Sequence, residues 1–396
     1  MAEVECFHAL RIVNGLASAP VTVGSRRRGP TLWMEMTANW LEIAGGLVIL
    51  LLIFRELFEG IILPRPAVRK FGFGRYVIRS LWVVWRSIGN RIDSVPRREA
   101  WLAVMGPLGV LVLFTAYGLG LVLGFALLID GVRSEMHPAP QDFGTSLYFS
   151  GTTLVPLSYG DIIPVGVPAR LITIAESVSG IFLAALAITL LFSLYESFQR
   201  REEMVVQLDA MAGAPPSGTQ ILETAIERGM HEQLVRTFEE WRNWSAQVLE
   251  SHLAYPLLFF FRSSHDNEAW LNSFGAVMDA ATLLISTLDD DAEGPARLML
   301  TVGNHLVEDM AWFFQYPQRK DPIVERMEFD QAWERLRKSG YKCNDPEHGW
   351  TKFAHMRSNY ASPLNQMARY LAIIPAQWIG DRSYLPHRGR PARRLR

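Results

Sequence analysis

Cysteine is nearly absent, with 2 in 396 residues, Cys6 and Cys343. Placed so far apart, they form no disulfide framework and read as inert thiols. No glycine-rich fingerprint follows a predicted strand, which argues against a dinucleotide fold. A secretory leader is not expected either. Arg26, Arg27 and Arg28 come late, and no small-residue cleavage site follows an apolar stretch of suitable length. Charge of one sign is lacking overall, since the formal net charge is −1, but this averages very different regions. Nothing in it points to nucleic acid as a partner. What the chain has is apolar residues, 49% of the total, and they concentrate in its first half.

Three runs, Leu41 to Leu63, Trp101 to Ile129 and Arg170 to Phe198, are long enough for a bilayer core of about 30 Å, which needs roughly 20 helical residues. Three membrane spans are therefore expected. Between the first two runs lie Arg65, Arg69, Lys70, Arg75, Arg79, Arg86, Arg91, Arg97 and Arg98, whereas between the second and third only Arg133 precedes Arg170. Positive charge marks the cytoplasmic side. On that rule the N-terminus and residues 130–168 lie outside, and everything after Arg200 lies in the cytoplasm.

The expected organisation is a disordered segment over 1–39, with Met34 or Met36 as alternative starts, and a first transmembrane helix over 40–63. A basic cytoplasmic or interfacial segment follows over 64–100, then a membrane domain over 101–198, a linker over 199–218, a cytoplasmic helical domain over 219–380 and a basic tail over 381–396. Within the basic segment, apolar Tyr76 to Ile88 interleave with Arg75, Arg79, Arg86 and Arg91 at a nearly helical period, which suits a helix on the membrane surface or one packed in the cytoplasm. The second span contains Gly120-x-x-x-Gly124, a spacing that permits close helix approach.

The stretch from Asp130 to Pro168 is the informative one. Asp142 can cap a short helix through Phe143, Thr145, Leu147, Tyr148 and Phe149. That helix is too short to cross a bilayer and too apolar for an exposed loop, so it reads as re-entrant. Beyond Thr152 and Thr153 the backbone must leave the helix, because Pro156 has no amide proton and Gly160 tolerates unusual dihedrals. Non-helical backbone at membrane depth survives only where it is buried in protein or lines a water-filled path.

The run from Thr152 to Pro164, with Ser158-Tyr159-Gly160-Asp161 at its centre, resembles the pore loop of potassium channels, which typically ends Thr-Val-Gly-Tyr-Gly-Asp. The resemblance extends into the next span, where Arg170, Glu176 and Gly180 match an arginine at the helix start, an acid behind the filter and a hinge glycine. It implies a pore-loop channel domain, so that with the helical second half read below the chain is expected to be an all-α membrane protein. It further implies a filter of Pro156, Leu157, Ser158, Tyr159 and Gly160, supported by Thr152, Thr153, Asp161 and Glu176, with gating at Gly180. Backbone carbonyls would replace the hydration shell of the cation. One loop supplies a quarter of the ring, so a homotetramer in the lipid bilayer is implied, conducting potassium or other monovalent cations with no cofactor beyond the permeant ion.

Two departures bear on selectivity. Pro156 stands where the family has a threonine whose hydroxyl is a ligand, which weakens the innermost site. Ser158 stands where a glycine adopts a left-handed backbone, at a cost of roughly 1 kcal/mol. These departures leave open a non-conducting receptor or scaffold with a degenerate pore. The third span is the natural pore lining, with Ser177, Thr189 and Ser193 as polar candidates, and Gly180 either bends it or admits a close neighbour. Arg55 stands alone in the first span beside Glu42, Glu56 and Glu59, so no voltage sensor is expected.

In the second half, Thr219 to Met230, His231 to Leu253, Glu268 to Leu288, Pro295 to Phe314 and Pro322 to Lys338 carry apolar residues at helical spacing. A helical bundle is expected, with a ligand the sequence does not identify. His305, Glu308 and Asp309, joined by His252, His265 and Asp266, match no specific metal signature. A membrane-tethered metal-dependent hydrolase would rest on them alone, and the chain is not expected to be an enzyme or to hold a metal. The terminal arginines from Arg388 to Arg396 suit anionic headgroups or a solvated tail.

Overall fold

The computed structural model describes residues 30–62, 72–263, 269–316, 320–374 and 378. The 1–29 part of the N-terminal segment, Arg65, Arg69, Lys70, His265, Asp266 and the 381–396 tail lie outside them. The described chain is helical almost throughout, with one two-residue strand pair.

Among the described residues, two helical stretches are long and apolar enough to cross a membrane. The first ends in α4 (Met105–Gly131), whose 27 residues reach about 40 Å. The second is α6 (Val167–Ala212), whose 46 residues reach about 69 Å, more than twice a bilayer core. The expected first span falls in α1 (Pro30–Leu57), which begins inside the segment read as disordered. It carries Glu42, Arg55 and Glu56. It lies along α4 through a glycine groove: a Cβ on Gly46 would sit 2.6 Å from the Gly124 carbonyl oxygen, and one on Gly124 would sit 2.8 Å from Leu50. The Gly120-x-x-x-Gly124 spacing thus serves close helix packing.

The basic segment folds as α2 (Phe73–Gly89) and α3 (Val95–Ala103). Their tryptophans lock the two together. Trp85 and Trp101 stack with ring centroids 4.1 Å apart, and each indole N–H donates to the other residue's carbonyl, at 2.9 and 3.1 Å. α2 has two apolar faces. Ile78, Trp82 and Gly89 are buried, whereas Phe73, Tyr76, Val83, Val84 and Ile88 on the opposite side are exposed. One face thus packs on protein and the other is left free.

The linker expected over 199–218 is mostly helix. α6 continues unbroken through 199–212 because Val205, Leu208, Met211 and Ala212 recur at helical spacing and are buried. Gly213, with φ +74°, ends it. The five expected helices follow as α7 (Gly218–Glu227), α8 (His231–Ala254), α9 (Trp270–Thr287), α10 (Glu293–Phe314) and α11 (Arg326–Ser339). Two more, α12 (Pro346–Arg357) and α13 (Ala361–Tyr370), complete the bundle. Its core holds Phe238, Trp241, Trp270, Phe274, Phe329 and Phe353, all at most 2% exposed. The bundle meets the membrane part through a 3-10 turn, Pro256–Phe260, and the residue after it. Phe261 fills the space beside Gly106 and Leu257 that beside Gly109, both on α4, while Phe260 packs on Trp82 of α2.

Candidate ion pore

The pore helix α5 (Phe143–Leu154) begins as expected at Asp142, whose carboxylate accepts the Thr145 amide at 2.8 Å and the Thr145 hydroxyl at 2.9 Å. Twelve residues give about 18 Å, half a bilayer. Serines one turn apart fasten it. Ser146 donates to the buried Asp130 carboxylate at the end of α4 at 2.7 Å, and Ser150 donates to the Val122 carbonyl at 2.8 Å and contacts Glu176 of α6. These serines and Asp130 were not singled out from the sequence, although a 146/150 pair on one face of an apolar helix was a usable signal.

After Leu154 the chain turns back. The Thr152 carbonyl accepts the Leu157 amide at 2.8 Å, and the Thr152 hydroxyl donates to Phe149 at 2.9 Å. Thr153 is buried, and its carbonyl accepts from Ser177 of α6 at 3.4 Å. Residues 155–161 are all exposed in the single chain. Their backbone has a period of two, with φ +23° at Pro156, +48° at Ser158 and +78° at Gly160. Glycine takes that region without penalty, whereas Ser158 is strained by about 1 kcal/mol. The Asp161 carboxylate faces the Tyr148 hydroxyl. Beyond it, β2 (Ile163–Pro164) pairs antiparallel with β1 (Met136–His137), with Met136 opposite Pro164, and closes the loop at its outer rim. Glu135 then secures the start of α6, its carboxylate accepting the Ala169 amide at 3.3 Å and its carbonyl the Val165 amide at 2.8 Å. Arg170 reaches back to the Pro164 carbonyl at 3.3 Å.

Glu176 is fully buried behind the loop, one oxygen against Ser150 and the other without a hydrogen-bond partner. Gly180 sits where α6 touches the end of the pore helix, and a Cβ there would overlap the Leu154 carbonyl oxygen. The close-neighbour role of Gly180 is thus visible, while α6 runs on as one helix through it. Thr189 and Ser193 turn their hydroxyls to the helix backbone, donating to Ala185 at 2.9 Å and Thr189 at 3.1 Å. Leu171, Ile174, Val178, Ile181, Ile188 and Phe192 form an exposed apolar stripe down α6 at steps of three and four, with a wider gap between Ile181 and Ile188. The metal residues do not gather. His305, Glu308 and Asp309 are exposed on α10, His252 is buried on α8, and among the described residues no three metal-ligating side chains come together.

A pore helix, an irregular loop and a following span held by buried polar contacts define a pore-loop membrane domain, and comparison with known proteins gives the same class. The model of the family described as "Ion channel" matches residues 110–197, from α4 to the middle of α6. "Protein LctB" of Bacillus caldotenax is 34% identical over 115 residues, 28% of this chain and 81% of that protein. "Uncharacterized membrane protein YdjJ" of Bacillus subtilis is 23% identical over 190 residues, 46% of this chain and 54% of that protein. "Putative potassium channel protein RPA4233" of Rhodopseudomonas palustris is 22% identical over 173 residues, 35% of this chain and 42% of that protein. The chain thus spans about half the length of the last two. No solved structure matches. The chain belongs to the ion-channel family that the model describes.

Proposed function

We propose that four copies of this chain assemble about a common axis and conduct monovalent cations passively, potassium in preference to sodium, through the backbone of residues 156–160. The observation that carries this reading is the positive φ at the alternate residues Ser158 and Gly160 in a loop left exposed by its own chain. Flipping every second peptide relative to its neighbours is how an extended strand turns all its carbonyls to one side, where they can replace water around a dehydrated cation. The rest of the pore domain fits that role. Glu176, Ser150, Thr152 and Thr153 fix the loop from behind, Asp161 and Tyr148 hold its outer end, and the apolar stripe of α6 needs a cover that neighbouring copies would supply.

In this reading α1 is a third span on the outside of the pore, the apolar outward face of α2 lies in the cytoplasmic headgroup zone, and the helical bundle lies in the cytoplasm of a cell whose inner or plasma membrane holds the protein. Gating acts on α6, either by a bend at Gly180 or by movement of the bundle on the helix end. The relative named as a potassium channel supports the choice of ion. Pro156, having no hydroxyl, removes the innermost ligand ring, so the preference for potassium is milder than a threonine there would give. The test is cation flux from liposomes holding the purified chain, potassium against sodium, with Gly160→Asp as control. Flux from the intact chain that the variant lacks supports the pore. A folded, inserted chain with no flux points instead to a receptor or scaffold built on a pore fold, which the Pro156 and Ser158 replacements would suit.

A further inference from the structure

Arg201 lies just past the apolar part of α6 and is 1% exposed. Its guanidinium joins elements far apart in sequence. It donates to the Glu202 carboxylate at 3.1 Å, the Leu258 carbonyl at 3.0 Å and the Phe261 carbonyl at 2.6 Å, and Nη1 lies 3.1 Å from Nε2 of His252 on α8. It stacks over Phe198 and Trp270 at 5.3 and 5.2 Å, and its own carbonyl accepts the Trp244 indole N–H at 3.2 Å. The turn it holds, 257–261, is the one whose Leu257 and Phe261 pack beside Gly109 and Gly106 of α4. Arg201 therefore ties the bundle to the cytoplasmic ends of both pore-domain spans.

Its histidine partner fixes the chemistry. Arginine carries donors and no acceptor, so the nitrogen of His252 facing it must present a lone pair. The proton then sits on Nδ1, which lies 2.9 Å from the Val248 carbonyl and 3.2 Å from the Ser251 hydroxyl. Neutral His252 is an acceptor for Arg201. A second proton on Nε2 would turn that bond into two donors and two cations face to face. Among the described residues, the charged groups around this site are Arg201 and Glu202 of α6, the latter also accepting from Ser263 at 3.2 Å, and the Arg262–Glu99 pair one residue beyond Phe261. The other faces of the imidazole are the rings of Phe259 and Trp270, at 4.9 and 5.4 Å. Burial first, and the Arg201 charge second, hold the imidazole well below the ordinary histidine range.

We propose that Arg201 and His252 form a proton-sensitive latch between the helical bundle and the pore-lining helix: neutral His252 lets Arg201 pin α6 to the 257–261 turn, and protonation at Nε2 on cytoplasmic acidification releases it. Arg201 acts here as a positioning residue. The flux part of the idea rests on the conduction reading, whereas release of the latch does not. The test is therefore hydrogen exchange of the full chain in lipid, corrected for intrinsic rates, at pH about 7.5 and about 4.5, on either side of the ordinary histidine range. Acid should lower protection of 198–212 and 252–262 several-fold in the native chain and leave it unchanged in His252→Gln, whose amide oxygen accepts from Arg201 without titrating. His252→Asn is the second variant should glutamine not fold. Arg201→Lys should keep part of the protection at neutral pH, and Arg201→Gln should lose it at both. Protection that acid leaves unchanged in the native chain, or lowers equally in the glutamine variant, overturns the latch. In liposomes, flux should show an acid step that His252→Gln removes. Flux that ignores pH while exchange responds overturns the coupling, and no flux from any variant overturns conduction and leaves exchange to decide the latch.

Discussion

α4 and α6 are equally apolar, yet the structure treats them differently. Of the most apolar 18 residues in each stretch long and apolar enough to cross a membrane, 44% are buried in the one ending in α4 but only 17% in α6. α4 is covered within its own chain by α1 along the glycine groove and by α5 through Ser146 and Ser150. α6 is covered where the pore helix touches it, at Glu176 and Gly180, at Leu183 beside Gly118 of α4, at the buried Leu190 and Leu194, and below Phe198, where the bundle encloses it. The bare part of that helix and the bare loop beside it are the surface that the proposed tetramer would cover. The difference comes from what lies alongside each helix, since composition scarcely distinguishes them.

The largest effect should come from crowding the one tight contact of α6. Gly180→Val drives a side chain into the Leu154 backbone, which cannot yield without moving the pore helix. We expect a loss of at least about 3 kcal/mol and of all flux, read from the yield of folded protein and from liposome flux. Retained flux would mean that α6 and the pore helix separate freely and would undo the contrast.

Gly124→Leu tests the other helix. It displaces Leu50 and should loosen α1 from α4 by about 1–3 kcal/mol, seen as a lower melting temperature in detergent. Flux should persist, because the contact displaced lies between α1 and α4. Loss of flux would make α1 part of the conducting unit.

His252 tests the buried lower end of α6. Its folded pKa is depressed, so the unfolded chain binds the extra proton more readily than the folded one. The stability contribution is intact above the unfolded value of about 6.5 and is lost as pH falls below it, at up to about 1.4 kcal/mol per unit. Denaturation midpoints measured against pH should show that slope, and His252→Gln should remove it while leaving slopes due to carboxylates.

The smallest effect concerns the loop. Ser158→Gly relieves a serine held at φ +48°, and we expect about 1 kcal/mol of added stability with a higher potassium-to-sodium flux ratio. An unchanged ratio would place selectivity elsewhere than at this carbonyl.

Several of these features were legible in the sequence because they depend on neighbours along the chain. Asp142 as a cap, the short pore helix, five of the bundle helices and the loop from Thr152 to Pro164 follow from spacing, capping chemistry and backbone freedom. The 199–212 stretch was misread as linker because its charged start, Gln199 to Glu203, resembles a solvated end of a span. Its apolar residues make sense only once the bundle packs on them.

By itself the sequence determined the class of the protein: apolar runs of membrane length, and a loop whose residues permit alternating backbone. Tertiary structure alone decided that Arg201 meets His252 and the 257–261 turn, 51 to 60 residues away, that α1 seats on Gly124, and that Gly180 faces the Leu154 carbonyl. Burial of a charge or contact of a glycine depends on which distant elements fold together, and no local pattern records that.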